Sequence, residues 1–165
     1  MTMERLWTPW RMEYIKSAAT SDEGEGCIFC DLPKEDDDER TLILARGRTA
    51  FVILNRFPYN PGHLMVAPYR HEGDLVELKD EELVDTSELV RESVRVLRDA
   101  WEPSGFNVGM NLGRVAGAGV PGHVHWHVVP RWDGDSNFMP VIGQTKVLPE
   151  LLDESYAKLR PAFEA

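Results

Sequence analysis

Three histidines alternate with apolar residues in the segment His123-Val124-His125-Trp126-His127-Val128-Val129. In an extended strand, alternate side chains point to the same face, so the three imidazoles share one face and the intervening apolar side chains pack on the other. The first and third side chains emerge roughly 13 Å apart, too far to share one zinc ion with bonds of about 2.0–2.1 Å. Two of the three histidines can share a metal ion, but all three cannot. Three imidazoles on one face therefore predict a site of chemical reaction rather than a single metal site.

The central histidine of this row is the natural nucleophile. A neutral imidazole attacks well near pH 7 when its other nitrogen keeps its proton on a backbone carbonyl, which leaves the attacking lone pair pointing outward. We therefore predict that His125 attacks a phosphorus atom and that the flanking histidines donate to phosphoryl oxygens and the leaving group. The glycine-rich segment 113–122 can direct backbone N–H groups at phosphates. Together these features predict nucleotidyl transfer.

The two cysteines of the chain, Cys27 and Cys30, form a Cys-x-x-Cys pair. This spacing disfavours a secreted disulfide framework and leaves a redox pair, half of a zinc site, or two buried thiols. A redox motif is expected beside a βαβ pattern, which this neighbourhood lacks. A structural zinc site needs two more ligands, and His71 and His123 are available for it.

The elements that position these residues follow from periodicity and turn formers. Apolar runs predict strands at 41–45 and 50–54 joined as a hairpin, a third strand at 63–68, and two more at 106–112 and 123–130. Apolar positions at helical spacing predict one long amphipathic helix over 80–101, closed by Pro103, and a short helix over 150–159. The acidic run 35–39 is predicted as a solvated loop, with a cation site as the remote alternative. The fold class is therefore α+β, with an antiparallel sheet of about five strands.

Composition limits the class of protein. The 165 residues favour one domain, which we divide into an N-terminal arm (1–26), a core (27–132) and a tail (133–165). In the arm, segment 5–16 carries aromatic and basic residues, which either complete the core or contact a partner. A formal charge of −10 disfavours a nucleic acid or an anionic membrane as partner. No apolar stretch approaches the roughly 20 residues of a membrane span, and the start lacks a signal-peptide pattern, so we expect a cytoplasmic protein.

The histidine row resembles the signature of the histidine triad (HIT) superfamily, His-φ-His-φ-His-φ-φ with φ apolar, without a break. The resemblance extends from about Cys27 to Pro130, because segments 53–58 and 61–63 are similar to the family's nucleoside-binding strand and turn. It implies a HIT-like fold, with His125, His127 and His63 as catalytic residues. It also implies that Asn55 binds the ribose and that Asn111 contacts the phosphates.

Within the family, segments 6–11, 111–114 and 129–132 look most like a bacterial branch associated with cleavage of diadenosine polyphosphates, by water or by phosphate. The chain departs from the family in its loop. Many members carry Gly-Gln-Ser/Thr or Gly-Ser there, whereas this chain has Gly117-Ala118-Gly119-Val120. Backbone N–H groups of Gly119 and Val120 would then have to contact the substrate, and hydrolysis and phosphorolysis both remain open.

The resemblance also supplies expectations about metal and assembly. Some relatives hold zinc with this Cys-x-x-Cys, a histidine after the third strand and the first histidine of the triad. It therefore implies a structural zinc site of Cys27, Cys30, His71 and His123, with a metal-free vestigial pair as the alternative. HIT proteins commonly form homodimers, so a homodimer is implied, and no organic cofactor is expected.

The expected substrate is an adenine nucleotide or a dinucleoside polyphosphate such as diadenosine tetraphosphate. Two rivals remain, an adenosine 5′-phosphoramidase and a non-catalytic nucleotide-binding module. Because the acidic chain must attract a polyanion, we expect Arg56, Arg114 and Arg131 to converge on one mouth, with Arg114 as the strongest candidate for a phosphate clamp. The alternative for each is a surface arginine paired with a carboxylate.

Overall fold

The computed structural model describes residues 26–135 and 150–164. The N-terminal arm predicted for 1–26 therefore lies outside the described residues except for Gly26, as does much of the predicted tail. Within these ranges, no helix is both long enough and apolar enough to cross a membrane.

A five-stranded antiparallel sheet forms the centre of the fold. Its strands are β1 (Ile43–Arg46), β2 (Ala50–Leu54), β3 (Leu64–Pro68), β4 (Gly105–Gly109) and β5 (Trp126–Arg131). They lie in the order β1-β2-β3-β5-β4, and each neighbouring pair is antiparallel. Every residue of β2 and β3 is buried, which explains why both strands are continuous apolar runs rather than alternating ones. The predicted α+β class and five-stranded sheet are confirmed.

Four α-helices accompany the sheet within the described residues: α1 (Ile28–Asp31), α2 (Asp38–Thr41), α3 (Asp80–Trp101) and α4 (Leu152–Leu159). The long helix α3 packs across β2, β3 and β5 and has the bounds predicted from the sequence. At its start, the Glu82 carboxylate accepts the Lys79 backbone N–H at 2.9 Å. The short helix α4 is also confirmed, although it begins two residues later than predicted.

Buried polar side chains of α3 connect it to neighbouring loops. Asp85 accepts hydrogen bonds from the backbone N–H groups of Thr49 (2.6 Å) and Ala50 (3.0 Å) in the β1–β2 hairpin. Glu82 is buried and accepts from the Arg70 guanidinium at 2.9 and 2.8 Å, which lowers its pKa below the ordinary carboxyl value. These bonds fix the helix relative to the hairpin and to the segment after β3.

The turn before β3 fits closely against the end of α3. Gly62 has a φ of +71°, and a Cβ atom there would lie 2.5 Å from the ring of Trp101. Both the left-handed backbone and the close approach therefore require glycine. This contact places the turn, and with it His63, against the helix.

Several predictions about these elements are wrong in part, among them the strand predicted for 41–45, which begins only at Ile43. The acidic run 35–39 is not all loop, because α2 begins at Asp38 after Asp37, whose carboxylate caps the Arg40 N–H. Asp38 also pairs with Arg46 and Arg160. The predicted strand 106–112 ends at Gly109 and begins one residue earlier.

The strand predicted for 123–130 begins only at Trp126, so His123 and His125 precede it. The reason lies in the backbone hydrogen bonds, because the Val124 N–H donates to the Glu72 carbonyl at 2.7 Å instead of joining the ladder. Pairing with β3 consequently starts at Val66 and Trp126. The segment that carries the first two histidines is therefore held by the extended segment 71–73 that follows β3.

Candidate active site

The three predicted catalytic histidines lie together along the antiparallel pair of β3 and β5, since His63 precedes β3, His125 precedes β5 and His127 lies opposite Met65. The ring centroids of His125 and His127 are 4.9 Å apart, and those of His127 and His63 are 5.1 Å apart. His63 and His125 are buried, whereas His127 is partly exposed. The structure thus brings the three predicted residues into one group.

Hydrogen bonding assigns the proton of His125 to Nδ1. That nitrogen lies 2.8 Å from the backbone carbonyl of His123, which can only accept, so Nδ1 carries the hydrogen and Nε2 keeps its lone pair. Burial lowers the pKa of His125 below the ordinary histidine value, which keeps the ring neutral. Phe29 packs against the same ring, with centroids 4.7 Å apart. This is the protonation state that a nitrogen nucleophile requires.

A second hydrogen-bond chain sets the protons of His63 and His127. His63 Nδ1 faces two donors, the Tyr59 backbone N–H at 3.1 Å and the Asn55 side-chain amide at 3.3 Å. Nδ1 must therefore be an acceptor, and Nε2 carries the hydrogen. His63 Nε2 lies 2.9 Å from His127 Nδ1 and donates to it, which leaves the hydrogen of His127 on Nε2. A neutral His127 can then donate an N–H to a substrate oxygen.

An apolar cleft of about 470 Å³ opens beside Asn55. Its walls are mainly aliphatic, and its polar lining includes Arg40, Asn55 and Arg56; the apolar side chains include Ile28, Leu32, Leu42, Ile53, Met65 and Val120. The Asn55 side-chain oxygen accepts the Phe57 N–H at 2.9 Å, and its amide nitrogen faces His63. An apolar cleft of this volume with a polar rim fits a heteroaromatic base followed by a sugar.

The glycine-rich segment forms a turn before the histidine row. A 3-10 turn at Arg114–Ala116 is flanked by Gly113 and Gly117, both at positive φ. Among the described residues, no backbone acceptor is recorded for the N–H groups of Gly119 and Val120. Val120 lines the cleft, and Asn111 lies half-buried at the start of the segment.

The three predicted arginines differ in their surroundings. Arg56 lines the cleft and donates to the Arg40 carbonyl at 3.4 Å. Arg114 is exposed on the glycine-rich turn. Arg131 is instead an arginine paired with a carboxylate, the alternative given in the sequence analysis. Its guanidinium is bonded to the Asp135 carboxylate and to the Asn107 side chain. The expected convergence of all three on one mouth is therefore wrong for Arg131.

The four predicted metal ligands also lie together. The ligand atoms of Cys27, Cys30, His71 and His123 are all within 4.8 Å of one another. His123 donates its Nε2 hydrogen to the Pro68 carbonyl at 2.8 Å, so its Nδ1 lone pair faces the Cys27 and Cys30 sulfurs at 3.4 and 3.5 Å. His71 Nδ1 lies 3.3 Å from the Cys30 sulfur.

The chemistry of this group fits a soft divalent cation. Two thiols and two imidazoles form a tetrahedral zinc donor set, and an imidazole nitrogen held by a carbonyl is the usual support for a ligand histidine. Burial lowers the pKa of His123 to about 4, so its ring is neutral. Burial and the neighbouring Cys27 raise the pKa of Cys30 to about 11, so a thiolate there needs a nearby positive charge.

Sequence reasoning missed four residues at and around this site. Phe29, between the two cysteines, packs against His123 and His125. The Tyr59 backbone N–H donates to His63 Nδ1 and so fixes the proton of His63 on Nε2. A backbone donor of this kind cannot be identified from residue types. Asn60 and Asp135 meet across the chain at 2.7 Å, and their sequence separation left no local signal.

Comparison with known proteins places this architecture. The HIT domain family matches residues 38–134. An AP-4-A phosphorylase of Mycobacterium tuberculosis is 42% identical over 158 residues, covering 93% of this chain and 80% of that protein. A bis(5′-nucleosyl)-tetraphosphatase (asymmetrical) of Schizosaccharomyces pombe is 34% identical over 93 residues, covering 56% of this chain and 50% of that protein.

Solved structures agree with the sequence relatives. A Zn-bound histidine triad family protein from Mycobacterium smegmatis superimposes with a TM-score of 0.69 at 26% identity, covering 86% of this chain and 96% of that one. The predicted HIT-like fold is confirmed, and the phosphorylase relative confirms the prediction of an enzyme of this family. The histidine row, the fold and these matches show that the chain belongs to the HIT family.

Proposed function

We propose that this protein cleaves dinucleoside polyphosphates at the α-phosphorus through a nucleotidyl-histidine intermediate. One observation carries the proposal: His125 presents an unprotonated Nε2, while neighbouring His127 presents an N–H. A nucleophile and a hydrogen-bond donor, side by side near a cleft for a base and a sugar, supply the parts needed for phosphoryl substitution. The phosphorylase and tetraphosphatase relatives support this substrate class.

The proposed reaction has two steps. His125 Nε2 forms a bond to the α-phosphorus, and the bond to the bridging oxygen breaks with its electron pair on the departing nucleotide. His127 donates a hydrogen bond to that oxygen or to a non-bridging one. Water or phosphate then attacks the same phosphorus, breaks the N–P bond and restores neutral His125. The loop N–H groups of Gly119 and Val120, with Asn111 and Arg114, are proposed to hold the phosphate oxygens.

The leaving group decides between this function and the phosphoramidase alternative. A departing nucleotide polyphosphate is a stable anion near neutral pH and needs only hydrogen bonds, which a neutral imidazole can donate. An amine leaving group must take up a proton, and segment 117–120 offers no hydroxyl or amide side chain to deliver one. Cleavage of dinucleoside polyphosphates is therefore favoured over phosphoramidase activity. A non-catalytic nucleotide-binding module would show binding without turnover.

The Cys27, Cys30, His71 and His123 group is proposed to hold a structural zinc ion. The Zn-bound relative supports this assignment, and the donor set fits the metal. When bound, zinc would tie the segment around Cys27 to the end of β3 and to the start of the histidine row. We also propose a homodimer, on the family resemblance.

Product analysis tests the proposed function. Diadenosine tetraphosphate is incubated with the purified protein, with and without added phosphate, and the nucleotides are separated. ADP plus ATP, with phosphate consumed, indicates phosphorolysis at the α-phosphorus, whereas AMP plus ATP indicates hydrolysis there. Two molecules of ADP without phosphate consumption would place cleavage at the β-phosphorus and contradict the proposal. Binding without any product would favour the non-catalytic module.

A further inference from the structure

A polar cluster outside the cleft links the end of β5 to the turn that carries His63. The Asp135 carboxylate accepts from Arg131 Nε at 2.5 Å and Nη2 at 2.7 Å, and from the Asn60 side-chain amide at 2.7 Å. Asn60 is buried, and the same amide donates to the Pro130 carbonyl at 2.9 Å. The Arg131 guanidinium holds the pKa of Asp135 below its usual range, so the carboxylate is charged near neutral pH.

Asn60 is joined directly to His63. Its backbone carbonyl accepts the His63 N–H at 3.1 Å. The preceding residue, Tyr59, donates its N–H to His63 Nδ1 and packs against that ring in a tilted arrangement, with centroids 4.5 Å apart. The position of Asn60 therefore determines where the Tyr59 N–H points.

We propose that Asp135 is a positioning residue for the reaction: through Asn60 it holds the 55–63 turn so that the Tyr59 N–H fixes the proton of His63 on Nε2 and that of His127 on Nε2. The Asp135 carboxylate accepts hydrogen bonds from Asn60, from Arg131 and from the Trp132 backbone N–H, and Asn60 is the partner that leads to His63. The inference rests on the proposed function for its kinetic consequence, whereas the proton positions can be measured without turnover.

The chemical consequence of losing this support follows from the imidazole tautomers. If the Tyr59 N–H moves away, His63 Nδ1 loses the nearer of its two described donors, and the Asn55 amide remains at the longer distance of 3.3 Å. The His63 ring can then carry its proton on Nδ1, and Nε2 becomes an acceptor. His127 must in turn donate from Nδ1, which leaves a lone pair on its Nε2. A lone pair repels phosphoryl oxygens where an N–H would bind them.

Asp135→Ala and Asp135→Asn test the proposal by steady-state kinetics. Asp135→Ala removes the nearer of the two acceptors of the Asn60 amide and leaves the Pro130 carbonyl. We expect kcat to fall about tenfold to a hundredfold, since displacement of a catalytic group by about 1 Å can cost a hundredfold. KM should change by less than about threefold because the apolar cleft is untouched. Asp135→Asn keeps one oxygen acceptor and should recover part of the loss. Asp133→Asn, an exposed carboxylate two residues earlier, is the matched control and should equal the wild type.

Nitrogen-15 NMR of the imidazoles supplies the readout that a merely structural role would not change. In the wild type, His63 and His127 should each show a protonated Nε2 and an unprotonated Nδ1. In folded Asp135→Ala, or in Asp135→Asn if the alanine variant does not fold, these signals should shift toward mixed tautomers. Unchanged signals together with unchanged kcat in a folded variant would overturn the proposal.

The two readouts also separate this inference from the proposed function. If the wild type cleaves no dinucleotide but Asp135 variants alter the His63 and His127 signals, the function is wrong and the positioning role stands. If turnover falls in Asp135→Ala while both signals stay unchanged, Asp135 acts by another route and the inference is wrong.

Discussion

His123 and His125 are separated by one residue, are both buried and both neutral, yet they carry their protons on opposite nitrogens. His123 gives its Nε2 hydrogen to the Pro68 carbonyl and turns Nδ1 toward two sulfurs. His125 gives its Nδ1 hydrogen to the His123 carbonyl and keeps Nε2 unprotonated. The same side chain thus presents the lone pair that the proposed metal ligand needs at one position and the one that the proposed nucleophile needs at the other.

The difference lies in the backbone carbonyl that each ring meets. β3 ends at Pro68, and its carbonyl reaches the ring of His123, whereas the segment before β5 turns its own His123 carbonyl toward the next histidine. A hydrogen bond to one imidazole nitrogen sets the use of the other. Two functions, one structural and one chemical, can therefore occupy one short segment, and substitutions should separate them.

The largest effect is expected at the chemical end. His125→Ala removes the nitrogen proposed to attack phosphorus, so turnover should fall by at least about a thousandfold while nucleotide binding and fold persist. Turnover is measured with a dinucleotide substrate, and circular dichroism and zinc content report the fold. Zinc content should be retained, because His123 is intact. Activity within about tenfold of the wild type would remove His125 as the nucleophile.

At the metal end, stability should change more than chemistry. Purified protein that has never met a chelator should contain close to one zinc per chain by elemental analysis. Cys30→Ser should lose that metal and lower the melting temperature, since the ligands join segments far apart in sequence. Loss of the metal can displace His123, whose backbone carbonyl holds the His125 ring. Turnover per folded molecule should therefore fall only to the extent that this displacement moves the His125 ring. A zinc-free wild type would return His123 to the catalytic group.

The fold and most residues of the two side-chain groups could be predicted from the sequence, whereas the start of β5 and the histidine tautomers could not. The period-two histidines, the Cys-x-x-Cys pair and the helix 80–101 are local patterns with local causes, so the fold and most members of both groups could be predicted. The late start of β5 could not, because it depends on a bond from Val124 to Glu72 across the fold. The tautomers depend likewise on carbonyls and N–H groups whose placement residue types do not encode. The pairing of Arg131 with Asp135 could not be predicted either, because residue types alone do not show which carboxylate an arginine will meet.

A smaller effect is expected at the ribose end of the cleft. Asn55→Ala should weaken nucleoside binding by about 1–3 kcal/mol, the range for a buried polar partner left unpaired. Binding is best titrated in a His125→Ala background, where an intact dinucleotide is not consumed. Since the Asn55 amide also faces His63, kcat in the single variant should fall as well. An unchanged dissociation constant would show that Asn55 does not bind the substrate.

The smallest effect concerns how an acidic protein holds a polyanion. Arg131 is bonded to Asp135, so the glycine-rich turn and the cleft rim supply the predicted clamps, Arg114 and Arg56. An arginine can bind phosphate oxygens in a bidentate way, and its contribution grows with the number of phosphates within reach. Arg114→Ala should therefore raise KM or lower kcat for diadenosine tetraphosphate about fivefold to tenfold, and change turnover of adenosine 5′-phosphoramidate less.

Arg91→Ala, which removes an exposed arginine from α3, is the control for net charge. It changes the overall charge by the same amount as Arg114→Ala but lies on a helix rather than on the turn before the histidine row. If both variants lose activity equally, long-range attraction accounts for the effect and Arg114 is not a clamp. If Arg114→Ala affects the polyphosphate and the phosphoramidate alike, the turn does not select for chain length, and the phosphoramidase alternative gains support.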